Sequence, residues 1–305
     1  EYDIRGIAES ELNDSTVFLI GQAYGTWLME RGVSKATLGG DARLSTKRIR
    51  ATMAAGLMKA GVSVIDIGLS STPTFYWSLY KFDVNGGVMV TGSHNPKEFN
   101  GLKVAFEKST LWGDDILEIS RIIEQDRMIE AEVPGTLSFA DITAEYIDML
   151  TSKITLGARR PKIVCDSGNG TGGLYAPEFL RRIGCDVAEL FSEPDGTFPN
   201  HHPDPTKREN LPKLIEKVLE TGADLGVGFD GDSDRIGVVD DKGEVIWGDR
   251  LMALYWREIL PKHPGAVAIC EVKSSMALPE EVEKMGGRPI WWNSGHSLVK
   301  AKMRE

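Results

Sequence analysis

The sequence predicts successive α/β domains whose mixed or parallel sheets carry helices on both faces. Two observations predict it. Short apolar runs of strand length alternate with amphipathic stretches of helical spacing along most of the 305 residues. That alternation restarts twice, near Pro161 and near Trp247, as expected of a chain longer than one domain of about 150 residues.

In order, ATLGGD (36–41), VSVIDIG (62–68) and GGVMVTG (86–92) are short, apolar and closed by Gly or Asp, which predicts strands. Between them, TKRIRATMAAGLMKAG (46–61) and TPTFYWSLYKF (72–82) place apolar residues three and four apart, the spacing of a helix face. The second round reads strand PKIVCDSG (161–168), helix TGGLYAPEFLRRIG (171–184), strand DVAELF (186–191), helix KRENLPKLIEKVLETG (207–222) and strand ADLGVGFD (223–230). The third reads helix WGDRLMALYWREIL (247–260), strand AVAICEV (266–272), helix SMALPEEVEKMGG (275–287), strand RPIWWN (288–293) and helix HSLVKAKMRE (296–305). The VPGTLS turn with its following helix (134–152), and the DDKGE turn before Trp247, mark boundaries, so domains are expected at 1–140, 141–245 and 246–305. Sheets of this kind bind ligands beyond the carboxyl ends of their strands, so the loops after strands are the ones to read for chemistry.

Composition narrows the function classes. A net charge of -10 without long single-sign blocks argues against a nucleic-acid or acidic-membrane partner, though a local basic pocket leaves room for an anionic substrate. Cys165, Cys185 and Cys270 are odd in number and far apart, which predicts neither a disulfide framework nor a zinc site and favours a cytoplasmic location. No apolar run approaches the ~20 residues that span a bilayer. The opening EYDIRG has no signal-peptide character and no initiator Met, and the last residues read as mid-helix, so both ends are expected to be cut.

Three loops carry the chemistry. In VTGSHNPKEFNGLKV (90–104), Gly92 and Pro96 bracket Ser93, His94 and Asn95. On an extended chain adjacent side chains diverge, so Ser93 and His94 are not expected to pair, and a polar βα loop with turn hydrogen bonds is the plain reading. In GVGFDGDSDRIGVVD (226–240), Asp230, Asp232 and Asp234 stand two apart, which on an extended segment puts three carboxylates on one side. Two such charges at ~4 Å repel by about 4 kcal/mol at an effective dielectric of 20, so the trio needs a cation, and hard oxygen ligands suit Mg²⁺. An EF-hand is excluded, because Arg235 and Asp241 replace its glycine and glutamate. In IVCDSGNGTGGLY (163–175), Gly168, Gly170 and Gly173 match G-x-G-x-x-G, with Glu193 twenty residues on, which raises a nicotinamide-dependent oxidoreductase as a rival. The alternative for that loop is a tight glycine turn.

Taken together, YDIRG (2–6), TGSHNP (91–96), NGLK (100–103), DGDSDR (230–235) and GHSLVKAKM (295–303) resemble the α-D-phosphohexomutases, in particular their bacterial phosphomannomutase/phosphoglucomutase branch. The resemblance runs from residue 1 to residue 305. It implies domains set around a central cleft, the third here incomplete, because the family's sugar-recognition loop and fourth domain lie beyond this sequence. It implies reversible phosphoryl transfer between the 1- and 6-positions of mannose or glucose phosphates, through a phosphorylated Ser93 and a hexose 1,6-bisphosphate. Ser93 would complete the Mg²⁺ shell of Asp230, Asp232 and Asp234. Lys103 would be the general acid or base, its pKa lowered by Arg5. His94 and Asn95 would support the loop and its phosphate, Arg235 would neutralise phosphate charge, and Tyr2, Lys273 and His296 would contact the ligand. A monomer acting on small molecules is expected. Other readings are a metal-dependent phosphatase using the same serine, the oxidoreductase, and a non-catalytic binding fragment.

Overall fold

A computed structural model of the chain describes residues 3–305. Among those residues the strands form three separate sheets. The first takes β1 (Ile4–Ile7), β2 (Lys35–Gly40), β3 (Ser63–Leu69), β4 (Gly86–Val90), β5 (Phe99–Phe106) and β7 (Leu137–Phe139) in the order β1-β5-β4-β2-β3-β7, with β6 (Ser109–Thr110) paired to β5. The second runs β12-β11-β10-β8-β9, from β8 (Lys162–Asp166), β9 (Asp186–Leu190), β10 (Leu225–Phe229), β11 (Ile236–Asp240) and β12 (Val245–Ile246). The third pairs β13 (Val267–Glu271) with β14 (Arg288–Trp292), in parallel.

Around the first sheet lie α1 (Asp14–Met29), α2 (Thr46–Lys59), α3 (Thr72–Lys81) and α4 (Asp114–Glu124). β4 is buried on both faces: Val88 and Val90 join the core under α1, α2 and α4, while Met89 joins Phe75 and Leu79 of α3. Such a strand reads as one continuous apolar run, and GGVMV is one. Helices α1 and α2 approach closely because a Cβ on Gly56 would come within 2.4 Å of the Phe18 carbonyl oxygen and 2.8 Å of the Gln22 nitrogen. α1 lies outside the periodicity argument: every residue from Ile20 to Leu28 is buried, Gly21, Gln22, Ala23, Gly25 and Thr26 included, so burial is not confined to one stripe.

Two loops that carry candidate site residues turn the chain straight back for one reason. Residues 91–98 join β4 to β5, and residues 230–235 join β10 to β11, and both pairs are antiparallel. A parallel return needs a crossover of a dozen or more residues, which neither loop supplies. The Ser93 loop is therefore a strand-to-strand connection, not the βα loop expected, and both larger sheets are mixed. The remaining helices are α5 (Thr143–Thr151), α6 (Ala176–Arg182), α7 (Pro212–Thr221), α8 (Gly248–Ile259), α9 (Ala277–Lys284) and α10 (His296–Lys302). The expected 207–222 helix splits into a 3-10 turn, Arg208–Asn210, and α7, since Pro212 has no N–H to extend a helix backwards and starts one instead. Similarly, residues 171–184 begin as a 3-10 turn, Thr171–Leu174, before α6. Cys165, Cys185 and Cys270 are buried and unpaired, and no helix of the described residues is long and apolar enough to cross a membrane.

Candidate active site

Ser93 is buried, with φ of 51° in the left-handed region. A non-glycine residue there costs about 1–2 kcal/mol, so the surroundings must hold it. Its N–H donates to Thr91 Oγ1 at 2.8 Å, and Thr91 Oγ1 donates to buried Asp41 Oδ2 at 2.8 Å. Asp41 pairs with buried Arg43, Nε to Oδ2 at 3.2 Å. Arg43 underlies the loop so closely that a Cβ on Gly92 would sit 2.5 Å from its Nε. Alanine at that position therefore demands a shift of the guanidinium, beyond a change in backbone freedom.

The Ser93 hydroxyl donates to Asp230 Oδ2 at 2.9 Å and lies 3.2 Å from His94 Nδ1. The expectation that Ser93 and His94 diverge is thus corrected, because it assumed an extended backbone and the positive φ folds the two side chains together. Burial first, then the Arg235 charge, bring His94 down to about 4, which leaves its ring neutral near pH 7.

The three aspartates also converge by turning rather than by extension. Asp230 Oδ1 accepts the N–H groups of Asp234 and Arg235 at 3.0 Å each, and Ser233 has φ of 61°. The loop so curled brings one oxygen from each of Asp230, Asp232 and Asp234 within 4.8 Å of one another. Thr72 Oγ1 donates to Asp232 Oδ2 at 2.6 Å, and Lys103 Nζ donates at 2.6 Å to Oδ2 of both Asp232 and Asp234. Asp232 Oδ1 is buried with no hydrogen-bond partner. Three clustered carboxylates, one of them with a buried oxygen that has no donor, fit a hard divalent cation.

The electrostatics follow from burial and mutual repulsion. Burial, then the charges of Asp232 and Asp234, push Asp230 well above the carboxylate range. Burial also acts to raise Asp232, but the Lys103 charge and hydrogen bond outweigh it and hold Asp232 low. For Lys103, burial alone favours loss of the proton, yet the two carboxylates outweigh it and push its pKa up. This reverses the expected lowering by Arg5, since anions are the charges touching Lys103. Arg5 turns to the serine loop instead, donating to the Gly92 carbonyl at 3.2 Å, Asn95 Oδ1 at 3.0 Å and Asp3 Oδ2 at 2.9 Å.

Asp3 links two distant elements, because its Oδ1 lies 3.3 Å from Nε2 of His296 at the start of α10. Burial raises Asp3, and the hydrogen bonds of His296 and Arg5 outweigh it and lower its pKa. One helical turn on, Lys300 lies over the Tyr76 ring at 4.1 Å, and burial and then Lys103 bring its pKa down to about 8. Arg235 Nε is 4.0 Å from Asp230 Oδ2, with its side chain partly exposed. Contacts therefore connect Ser93, His94, Asn95, Arg5, Lys103, the three aspartates, Arg235 and His296. Lys273 is not brought in: it sits in an exposed turn after β13, with no polar partner among the described residues. Tyr2 lies outside the described residues.

The glycine-rich loop braces the site. A Cβ on Gly170 would meet the Gly231 carbonyl oxygen at 2.8 Å, one on Gly173 would meet that of Ser192 at 1.7 Å, and the Thr171 N–H donates to Gly231 O at 3.1 Å. Gly170 and Gly173 are absorbed by contact with the aspartate loop and with residue 192, and a Cβ on Gly168 would lie 3.2 Å from both His201 Cε1 and Pro203 Cβ. Asp3, Asp41, Arg43 and Thr72 were not legible as site residues. Three had a signal, since Asp41, Arg43 and Thr72 follow the carboxyl ends of β2 and β3.

Family models cover almost the whole chain: "Phosphoglucomutase/phosphomannomutase, alpha/beta/alpha domain I" at residues 1–130, domain II at 144–243 and domain III at 247–305. The phosphomannomutase/phosphoglucomutase of Pseudomonas syringae pv. tomato is 41% identical over 304 residues, 100% of this chain and 65% of that protein. The phosphomannomutase of Vibrio cholerae is 36% identical over 314 residues, 100% of this chain and 68% of that protein. A phosphoglucomutase/phosphomannomutase family protein from Burkholderia thailandensis superposes with a TM-score of 0.93 at 37% identity, covering 99% of this chain and 67% of that one. The chain spans 65% of the length of the Pseudomonas relative.

Proposed function

The chain belongs to the phosphoglucomutase/phosphomannomutase family, and from that membership we propose that it transfers a phosphoryl group reversibly on hexose phosphates. The substrates are glucose or mannose 1- and 6-phosphates, and the route runs through phosphorylated Ser93 and a hexose 1,6-bisphosphate. One observation carries the reading: the Ser93 hydroxyl, on a strained loop, meets Asp230 at 2.9 Å across 137 residues.

Asp230, Asp232 and Asp234, with the phosphorylated Ser93, are the residues that would hold Mg²⁺. Bound there, it supplies neutralisation of phosphoryl oxygen charge. The chain's own groups do the rest. Phosphorylated Ser93 gives its phosphoryl group to the free hydroxyl of the hexose monophosphate, its own oxygen–phosphorus bond breaking as the sugar's forms; after the bisphosphate turns, Ser93 takes up the other phosphoryl group as that sugar oxygen leaves. Lys103, held protonated by its carboxylate partners, donates a proton to the leaving sugar oxygen and takes one in the reverse direction. Arg5 and Arg235 neutralise phosphate charge. His94, neutral, and Asn95 support the loop. Among the substrate contacts, His296 is fixed by Asp3, Lys273 meets a phosphate from its exposed turn, and Tyr2 follows from its motif. We also infer a cytoplasmic monomer with domains at 1–140, 141–245 and 246–305, a division that the three separate sheets support, with β12 (Val245–Ile246) of the second sheet running one residue past 245.

Incubation with Mg²⁺ and glucose 1,6-bisphosphate, followed by intact mass and site mapping, tests this. Phosphate on Ser93, absent in Ser93→Ala, is expected. Phosphate on another residue with Ser93 bare would sink the reading. Release of inorganic phosphate as fast as Ser93 loads, each bisphosphate ending as hexose monophosphate plus inorganic phosphate with none returned to a sugar hydroxyl, would favour the phosphatase.

A further inference from the structure

Five consecutive backbone carbonyls of the serine loop, Gly92 to Pro96, are each held by a side-chain donor, the first by Arg5 at 3.2 Å. Arg43 Nη2 donates to the carbonyls of Ser93 at 2.9 Å and Asn95 at 2.6 Å, and Nη1 to those of Pro96 at 2.6 Å and Phe99 at 3.0 Å. The intervening carbonyl, of His94, is 2.7 Å from His202 Nε2. A carbonyl only accepts, so His202 carries the proton at that nitrogen. Arg43 is 2% exposed, and its charge is balanced behind the loop by Asp41.

We propose that Arg43 is a positioning residue, which holds the Ser93 loop in the left-handed turn that aims the hydroxyl at Asp230. The loop has neither helix nor ladder of its own over residues 91–98, only the turn bonds from Asn95 N–H to Gly92 O at 2.9 Å and from Phe99 N–H to Pro96 O at 3.0 Å, so side chains from outside supply most of the donors to its carbonyls. A planar guanidinium with five donors fixes several acceptors in one geometry, which an ammonium on a flexible stem does not. The second sheet's domain seats the same guanidinium, with the Phe198 ring at 5.4 Å. A Cβ on Gly196 would strike the Ala42 carbonyl oxygen at 2.3 Å. The placement of Ser93 is thereby shared by two domains, through a residue that does not touch the reacting atoms.

The catalytic meaning of this placement rests on Ser93 being the phosphoryl carrier, so the test has two readouts. In Arg43→Lys, which keeps the charge opposite Asp41, hydrogen exchange at the amides of 92–99 should quicken about tenfold or more while β2 and β10 stay protected. The maximal rate of Ser93 loading from glucose 1,6-bisphosphate should fall by about 10²-fold, with half-saturation changed by less than about threefold. Arg43→Ala should do at least as much, and where it does not fold, Arg43→Lys carries the test. Wild-type loop exchange in the lysine variant would overturn the proposal, and so would lost protection throughout the first sheet. Should the wild type take no phosphate on Ser93, the functional reading falls, and loop exchange alone still decides whether Arg43 holds the turn.

Discussion

Asp232 divides its carboxylate unequally: Oδ2 serves Thr72 and Lys103, while Oδ1 is buried without a hydrogen-bond donor. Asp232→Asn keeps the volume and removes the charge, so Mg²⁺ affinity should fall by at least about tenfold in calorimetric titration. Lys103 keeps Asp234 as partner, so the same change should cost about 3 kcal/mol of stability, the lower end for a broken buried pair. Unaltered affinity would mean that the trio is no metal site. The three aspartates and Ser93 were legible because reactive side chains on short loops after strands stand out in a single stretch. The charge state of Lys103 was not, because its carboxylate partners arrive 129 and 131 residues later. Arg43 escaped although it follows β2, because its acceptors are main-chain carbonyls, which no partner residue type marks.

At the end of β8, Asp166 accepts from His201 at 3.1 Å, tying the long stretch between β9 and α7 to its sheet. Burial acts to lower the His201 pKa, but the hydrogen bond and charge of Asp166 outweigh it and raise it above 6.5. A raised folded-state pKa gives stability that is fully present below about 6.5 and lost as pH rises through the folded value. His201→Gln should therefore cost about 1.5–3 kcal/mol at pH 5.5 and clearly less at pH 9, by urea denaturation at both. An equal cost at the two pH values would exclude the charged pair. The helices and parallel strands were largely legible, since periodicity reports which face is buried. Strand direction was not, because an apolar run reads alike in either direction and only loop length separates hairpin from crossover.

Viewed whole, the site is assembled from all three sheets' neighbourhoods: Lys103 and Ser93 from the first, the aspartates from the second, and His296 from the helix after the third. The three separate sheets follow the restarting alternation, whereas the contact of Asp3 with His296 spans 293 residues and leaves no pattern in sequence. Positioning both ends of a bisphosphate can be worth about 7–11 kcal/mol in the best cases, and this chain spans 65% of the Pseudomonas relative's length. Ser93 loading should therefore persist here, while glucose 1-phosphate turns over at least about 10²-fold more slowly than in a fusion carrying the relative's remaining third. A coupled dehydrogenase assay on both proteins checks it, and equal rates would refute this division of labour. The buried ion pair also sets a timetable for synthesis. Lys103 emerges 129 residues before Asp232, which at about 5–20 residues per second is roughly 6–26 s on the ribosome. Through that interval the Lys103 ammonium has no carboxylate partner from the 230–234 loop, so its charge is left to water until that loop is made.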